Sequence, residues 1–133
     1  MERTLIISSI PGNIVHVRNF VREIFLEARL NMNCFNRIFL GISEVVNNAI
    51  LHGNQLNPQK NVFIKMNLSG NQFKVEVKDE GNGFCKELLQ DPTCEKNIKC
   101  EHGRGLFIIR RLADELSFSE DGRKVLIQFT IPE

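Results

Sequence analysis

The sequence predicts an α+β fold, a two-layer α/β sandwich with helices on one face of a mostly antiparallel sheet, and three observations predict it. Two stretches flanking Gly70-Asn71 alternate apolar and polar residues, the period of strands half-buried on one side. Two earlier stretches, between about residues 13 and 53, instead repeat their apolar residues every three or four positions, as helices lying against a core do. The order that results is strand, helix, helix, hairpin, long loop, helix, hairpin, with no internal repeat or low-complexity tract.

The opening strand is expected from Arg3 to Ile10, where Thr4, Ile6, Ile7 and Ile10 are β-branched, and Pro11-Gly12 ends it. Ile14, Val17, Val21, Ile24, Phe25 and Ala28 then keep helical spacing to about Leu30, with Asn13 placed as an N-cap. A second helix from about Phe35 carries Ile38, Phe39, Ile42, Val45, Val46 and Ala49 on one face, with Asn33 as its expected cap and Gly53 suited to its C-terminal end. Val62 to Leu68 and Phe73 to Val77 form the first hairpin. Residues 80–103 hold Gly81, Gly83, Pro92, Gly103 and three cysteines, a loop long enough to be functional or mobile. A helix opening at Gly103-Arg-Gly-Leu106 and a hairpin of Leu116 to Ser119 with Val125 to Ile131 close the chain.

At 133 residues, 42% of them hydrophobic and 25% charged, the chain is expected to be one domain spanning 1–133, neither disordered nor membrane-embedded. Its 17 basic and 16 acidic residues leave a net charge of +1, so neither nucleic acid nor a membrane is an expected partner and an anionic ligand must be held locally. Cys34, Cys85, Cys94 and Cys100 form no C-x-x-C pair, which favours reduced thiols; Cys94, Cys100 and His102 lack a fourth ligand for zinc. Met1-Glu-Arg-Thr-Leu does not read as a signal peptide, and a cytoplasmic location is expected.

Chemistry gathers in three places. Glu44, Asn48 and His52 follow at i, i+4 and i+8 along one side of the second helix, where an amide carbonyl suits a hard cation such as Mg²⁺ and a carboxylate can take a proton. Alone, such a stripe reads as the solvated face of a helix. His52 can line a pocket or be a buried helix-end histidine satisfied by a carbonyl. Asp79-Glu-Gly81-Asn-Gly83-Phe84 ends an apolar strand; its glycines permit positive φ and close approach to a ligand, and Asp79 can accept from a purine amino group. The same residues also suit an ordinary Asp/Gly turn. Gly103-Arg104-Gly105-Leu106 starts a helix, where unpaired N–H groups and Arg104 favour phosphate.

Together, Glu44-x-x-x-Asn48-Ala49-x-x-His52-Gly53, Asp79-x-Gly81-x-Gly83-Phe84 and Gly103-Arg104-Gly105-Leu106 resemble, in order and spacing, the N box and two glycine boxes of the GHKL ATP-binding superfamily, with its Bergerat fold. DNA gyrase, heat-shock chaperone ATPases, sensor histidine kinases and mismatch-repair ATPases belong to it. The length and strand-first layout look most like the anti-sigma-factor serine/threonine kinases of bacterial partner-switching systems. The resemblance implies ATP and Mg²⁺ as cofactors, Glu44 as general base, Asn48 as magnesium ligand and Asp79 as reader of adenine. It implies that Gly81, Gly83, Gly103, Arg104, Gly105 and Leu106 lie along the nucleotide and that residues of about 80–103 form a lid.

By the same resemblance the partners are an anti-sigma-factor antagonist, which receives the γ-phosphate on serine or threonine, and a sigma factor, held by what is usually a homodimer. The alternative is a regulatory module that binds ATP and a protein without transferring phosphate. Two departures bear on the site: Gly122 is followed by Arg123-Lys124 where some members have Gly-Thr, and Glu101-His102 precede Gly103 where some kinases place an arginine. No histidine-bearing dimerisation helix precedes the domain in this sequence, so a complete sensor histidine kinase is not expected.

Overall fold

The computed structural model describes residues 1–81, 109–119 and 123–132. Among these residues five strands form one sheet: β1 (Glu2–Ser8), β2 (Asn61–Ser69), β3 (Gln72–Lys78), β4 (Glu115–Ser119) and β5 (Lys124–Thr130). Their spatial order is β1-β2-β3-β5-β4, and every neighbouring pair is antiparallel.

Alternation decides which face is covered. Val62, Ile64 and Met66 of β2, Phe73, Val75 and Val77 of β3, and Val125, Ile127 and Phe129 of β5 are all buried. The register sets them side by side, Ile64 opposite Val77 and Val75 opposite Ile127, so a single apolar sheet face results. The intervening Lys65, Lys74, Glu76 and Lys124 take the other face, where Lys124 Nζ lies 3.0 Å from a Glu76 carboxylate oxygen.

Two helices cover the apolar face, α1 (Ile14–Glu27) and α2 (Phe35–Asn48), with Val17, Val21, Ile24 and Phe25 of the first and Ile38, Ile42, Val45 and Val46 of the second buried. Close packing fixes one small residue. A Cβ on Gly41 would stand 3.0 Å from the Phe129 ring, so the glycine lets α2 sit directly on β5. Near the start of α2, Phe25 meets Phe35 edge to face at 5.4 Å and Phe73 at 6.0 Å, and Phe35 stacks on Phe39 at 5.9 Å. Each such pair adds about 0.5–1.5 kcal/mol beyond its area burial.

The helix ends differ from expectation. Asn13 precedes α1 but does not cap it; its side-chain amide donates to the Ser8 carbonyl and hydroxyl, tying the helix entrance to the end of β1. Asn33 does not cap α2 either. Asn31 accepts from the Asn33 N–H and so caps a 3₁₀ turn, Met32–Cys34, that leads into the helix. Strand β1 stops at Ser8, two residues before the expected Ile10. Residues 109–112 are helical, as expected for the close of the third helix, and the rest of that helix and nearly all of the expected lid lie outside the described residues.

Candidate functional site at the end of the central helix

Beyond Asn48 the helix widens. Ala49–Gly53 form a π-turn, closed by the Asn54 N–H donating to the Ala49 carbonyl at 2.8 Å. Such a turn inserts extra backbone into a helix and is often found at functional positions. Here it also rotates the side chains that follow out of the 3.6-residue phase. His52 accordingly does not extend the Glu44 and Asn48 stripe into the interior: it is exposed, and the buried-histidine expectation is wrong.

The same change of phase assigns new roles to two glycines. Gly53 is not a left-handed helix cap; it is buried, and a Cβ there would collide with the Asp79 carboxylate. Gly81 does not need positive φ. A Cβ on it would collide with the Gly53 carbonyl, so the segment leaving β3 and the π-turn interlock backbone to backbone. Sequence spacing made Gly53 a helix cap and set Gly81 beside a ligand; the structure packs the two against each other, with Asp79 alongside.

Asp79 is buried. Its Oδ1 accepts from the Gly81 N–H at 2.8 Å, and its own N–H donates to the Arg123 carbonyl at 2.9 Å. Burial raises its pKa, opposed by the Gly81 hydrogen bond and then by the positive charges of Arg123 and Lys60. Arg123, the residue after Gly122 where the family pair is missing, thus supports Asp79 through its backbone and its charge.

Asn48, one helical turn after a half-buried Glu44, is buried and not on a solvated face. Its Nδ2 is a buried side-chain polar atom with no hydrogen-bond partner, the single case among the described residues. An unpaired buried amide costs about 1–3 kcal/mol, so a fold retains one where something else binds. Because a half-turn of the amide exchanges nitrogen and oxygen, the same position can present a carbonyl to a cation or a donor to a phosphate oxygen. The donor set therefore fits a magnesium-bound phosphate ligand.

Two residues that sequence reasoning missed complete the corner. Buried Asn54 donates through Nδ2 to Ser9 Oγ at 2.7 Å and to the Asn61 carbonyl at 2.9 Å, and its Oδ1 accepts from the Glu80 N–H at 2.8 Å. Ser9, also buried, donates a hydrogen bond from its hydroxyl to the Lys60 carbonyl at 2.8 Å. A single polar residue after Gly53 carries no sequence signal of this, since its partners come from three distant segments. Gly83, Gly103, Arg104, Gly105, Leu106, His102 and three of the cysteines lie outside the described residues. The fourth, Cys34, is a buried free thiol, and no group of three or more metal-ligating side chains occurs among the described residues.

A family model described as a histidine kinase-like ATPase domain matches residues 7–129. The chain belongs to that family. This histidine kinase-like ATPase domain is 27% identical over 130 residues to an anti-sigma F factor of Oceanobacillus iheyensis, covering 93% of this chain and 88% of the relative. It is 29% identical over 117 residues to the anti-sigma F factor of Bacillus cytotoxicus, covering 86% and 80%. Among solved structures, the RsbU and RsbW domains of Rv1364c from Mycobacterium tuberculosis superpose with a TM-score of 0.68 at 18% identity. The superposition covers 98% of this chain and 32% of that longer one, and shows the shared fold. Among the described residues no helix is long and apolar enough to cross a membrane.

Proposed function

We propose that this domain is an anti-sigma-factor serine/threonine kinase that transfers the γ-phosphate of ATP to an antagonist protein and regulates transcription by holding a sigma factor. The observation that carries this reading is the buried, unpartnered amide of Asn48 one turn beyond Glu44, on the helix whose widened end packs against Asp79. The names of its relatives, anti-sigma F factors matched along most of their length, supply the partner class.

In this reading Asn48 ligates magnesium, which when bound neutralises charge on the phosphate oxygens. Asp79 accepts from the adenine amino group, through whichever carboxyl oxygen faces the base. Gly81 and Gly83 keep the strand exit slim beside the nucleotide, and Gly103, Arg104, Gly105 and Leu106 meet the phosphates. Glu44 takes the proton of the antagonist's serine or threonine hydroxyl as its oxygen bonds to the γ-phosphorus. The bond from that phosphorus to the β,γ-bridging oxygen breaks, and ADP leaves. A cytoplasmic homodimer with no direct contact to nucleic acid or membrane is the form in which it acts.

The test is incubation with γ-labelled ATP and the purified antagonist encoded by a neighbouring gene. Wild-type protein labels the antagonist, and Glu44→Ala does so at least about 100-fold more slowly, the usual contribution of a positioned base. Tight ADP binding with no label transferred would instead identify a regulatory module without kinase activity.

A further inference from the structure

We infer that Asn54 is a positioning residue for nucleotide-base recognition, acting on Asp79 through the Glu80 peptide. The inference rests on the adenine-nucleotide reading of this site and adds to it the element that sets its specificity.

Asp79 reads a base only if its carboxylate is held in one orientation, and the segment that carries it has just left the sheet. On one side the Asp79 N–H is fixed to the Arg123 carbonyl. On the other side the next N–H, that of Glu80, is fixed by Asn54 Oδ1. The peptide between them is pinned at both ends. Asn54 is itself held: its amide donates to Ser9 and to the Asn61 carbonyl, while the Asn61 N–H donates back to the Glu80 carboxylate at 2.6 Å. Exit of β1, entry of β2 and exit of β3 therefore meet on one side chain that hangs from the end of the π-turn.

The chemistry of the amide matters. Its NH₂ group donates twice and its oxygen accepts once, so no other side chain of that size replaces it: aspartate lacks the donors, leucine lacks both functions. The network spends buried polar groups where an apolar plug would fill the space, which is the pattern of a site held by supporting hydrogen bonds.

Inosine diphosphate is the probe, because it carries a carbonyl where ADP carries the amino group that Asp79 would accept from. Calorimetric titration of the full chain with Mg-ADP and Mg-IDP gives an affinity ratio, expected to favour ADP by about 100-fold or more. Asn54→Ala is expected to lower that ratio at least about tenfold, the equivalent of one lost well-oriented hydrogen bond. Val21→Ala, on the buried face of α1 and outside this network, is the control for general destabilisation and should keep the wild-type ratio.

If Asn54→Ala binds with the wild-type ratio, or if Val21→Ala lowers the ratio as much, the inference is overturned. If Asn54→Ala does not fold, Ser9→Ala decides, since it removes one of the two acceptors of the amide and leaves the rest. A lowered ratio there supports the inference and an unchanged one overturns it. Wild-type protein that fails to prefer ADP over IDP overturns the nucleotide reading beneath, an outcome distinct from a wild-type preference that survives Asn54→Ala.

Discussion

Near the start of α2 the core is aromatic, with Phe25, Phe35 and Phe73 packed together; at the far end of the same helix lie all four buried polar residues of the described structure, Ser9, Asn48, Asn54 and Asp79. Strand β3 joins the two regions, running from Phe73 in one to Asp79 just past its end in the other. The aromatic end contains nothing but contact area and is satisfied as it stands. The polar end carries desolvated groups that need partners, and among the fully buried side-chain polar atoms of the described residues the Asn48 amide nitrogen alone lacks one. Burial without hydrogen-bonding demand marks the first region, and the side chains proposed to meet a ligand mark the second.

Substitutions at the two ends should separate accordingly. The largest expected effect is on stability. Phe25→Ala should cost about 3–5 kcal/mol in urea unfolding while the folded fraction keeps its Mg-ADP affinity. Loss of affinity in proportion would show that the two regions are not independent. Gly81→Ala should cost about 3 kcal/mol and nucleotide affinity together, because the new Cβ meets the Gly53 carbonyl and must push the two segments apart. An unfolding midpoint like the wild type's would show that the interlock is not tight.

Asn48→Ala sharpens the comparison. It removes a buried group that is unpaired in the free protein, so stability should change by less than about 1 kcal/mol while Mg-ADP affinity drops at least about 100-fold. Equal affinity in the two proteins would remove Asn48 from the site.

Asp79→Asn tests the cost of the polar end through pH. Because burial raises the carboxyl pKa above 3.8 in the folded chain, its contribution to stability is fully present below that unfolded value and is lost as pH rises through the folded one. Ionised Asp79 therefore weighs against folding at neutral pH. The variant, which cannot ionise, should melt higher than wild type at pH 7, and the gap should close toward pH 4. A gap that is the same at both pH values would count against a raised pKa. The smallest effect belongs to the solvent face of the sheet, where Glu76→Gln loses an ion pair with Lys124 and should cost less than about 0.5 kcal/mol, less still in high salt.

How far each region was legible follows from the same contrast. The strands were readable because a half-buried strand writes its two faces into alternate residues, as Val62, Ile64 and Met66 do against Phe63, Lys65 and Asn67. The apolar face of α2 was readable for the equivalent reason at 3.6 residues per turn. The helix ends were not. Asn13, Asn31 and Asn33 look alike in sequence, and only the proximity of Ser8 draws the first away from capping. The π-turn was invisible because a widened turn is stabilised by what docks on it, here Asp79 and Gly81, residues remote in sequence. From that one unseen shift follow the misplacement of His52, the reassigned glycines and the omission of Asn54. Glu44, Asn48 and Asp79 were singled out by the order and spacing of a family motif, while the burial of Asn48 and Asp79 came only with the fold.

The sheet order has a practical consequence for protein engineering. The chain departs from β3 at Asp79, whose N–H is fastened to Arg123 just before β5, and comes back at Asp114, whose N–H is fastened to Gln128 within β5. Both fasteners sit on or beside one interior strand, so an exchange confined to residues 82–108 leaves them, the Glu80 and Gly81 contacts and the described rungs of the ladder in place. Chimeras exchanged within those bounds test whether that segment carries the preference for one protein partner over another.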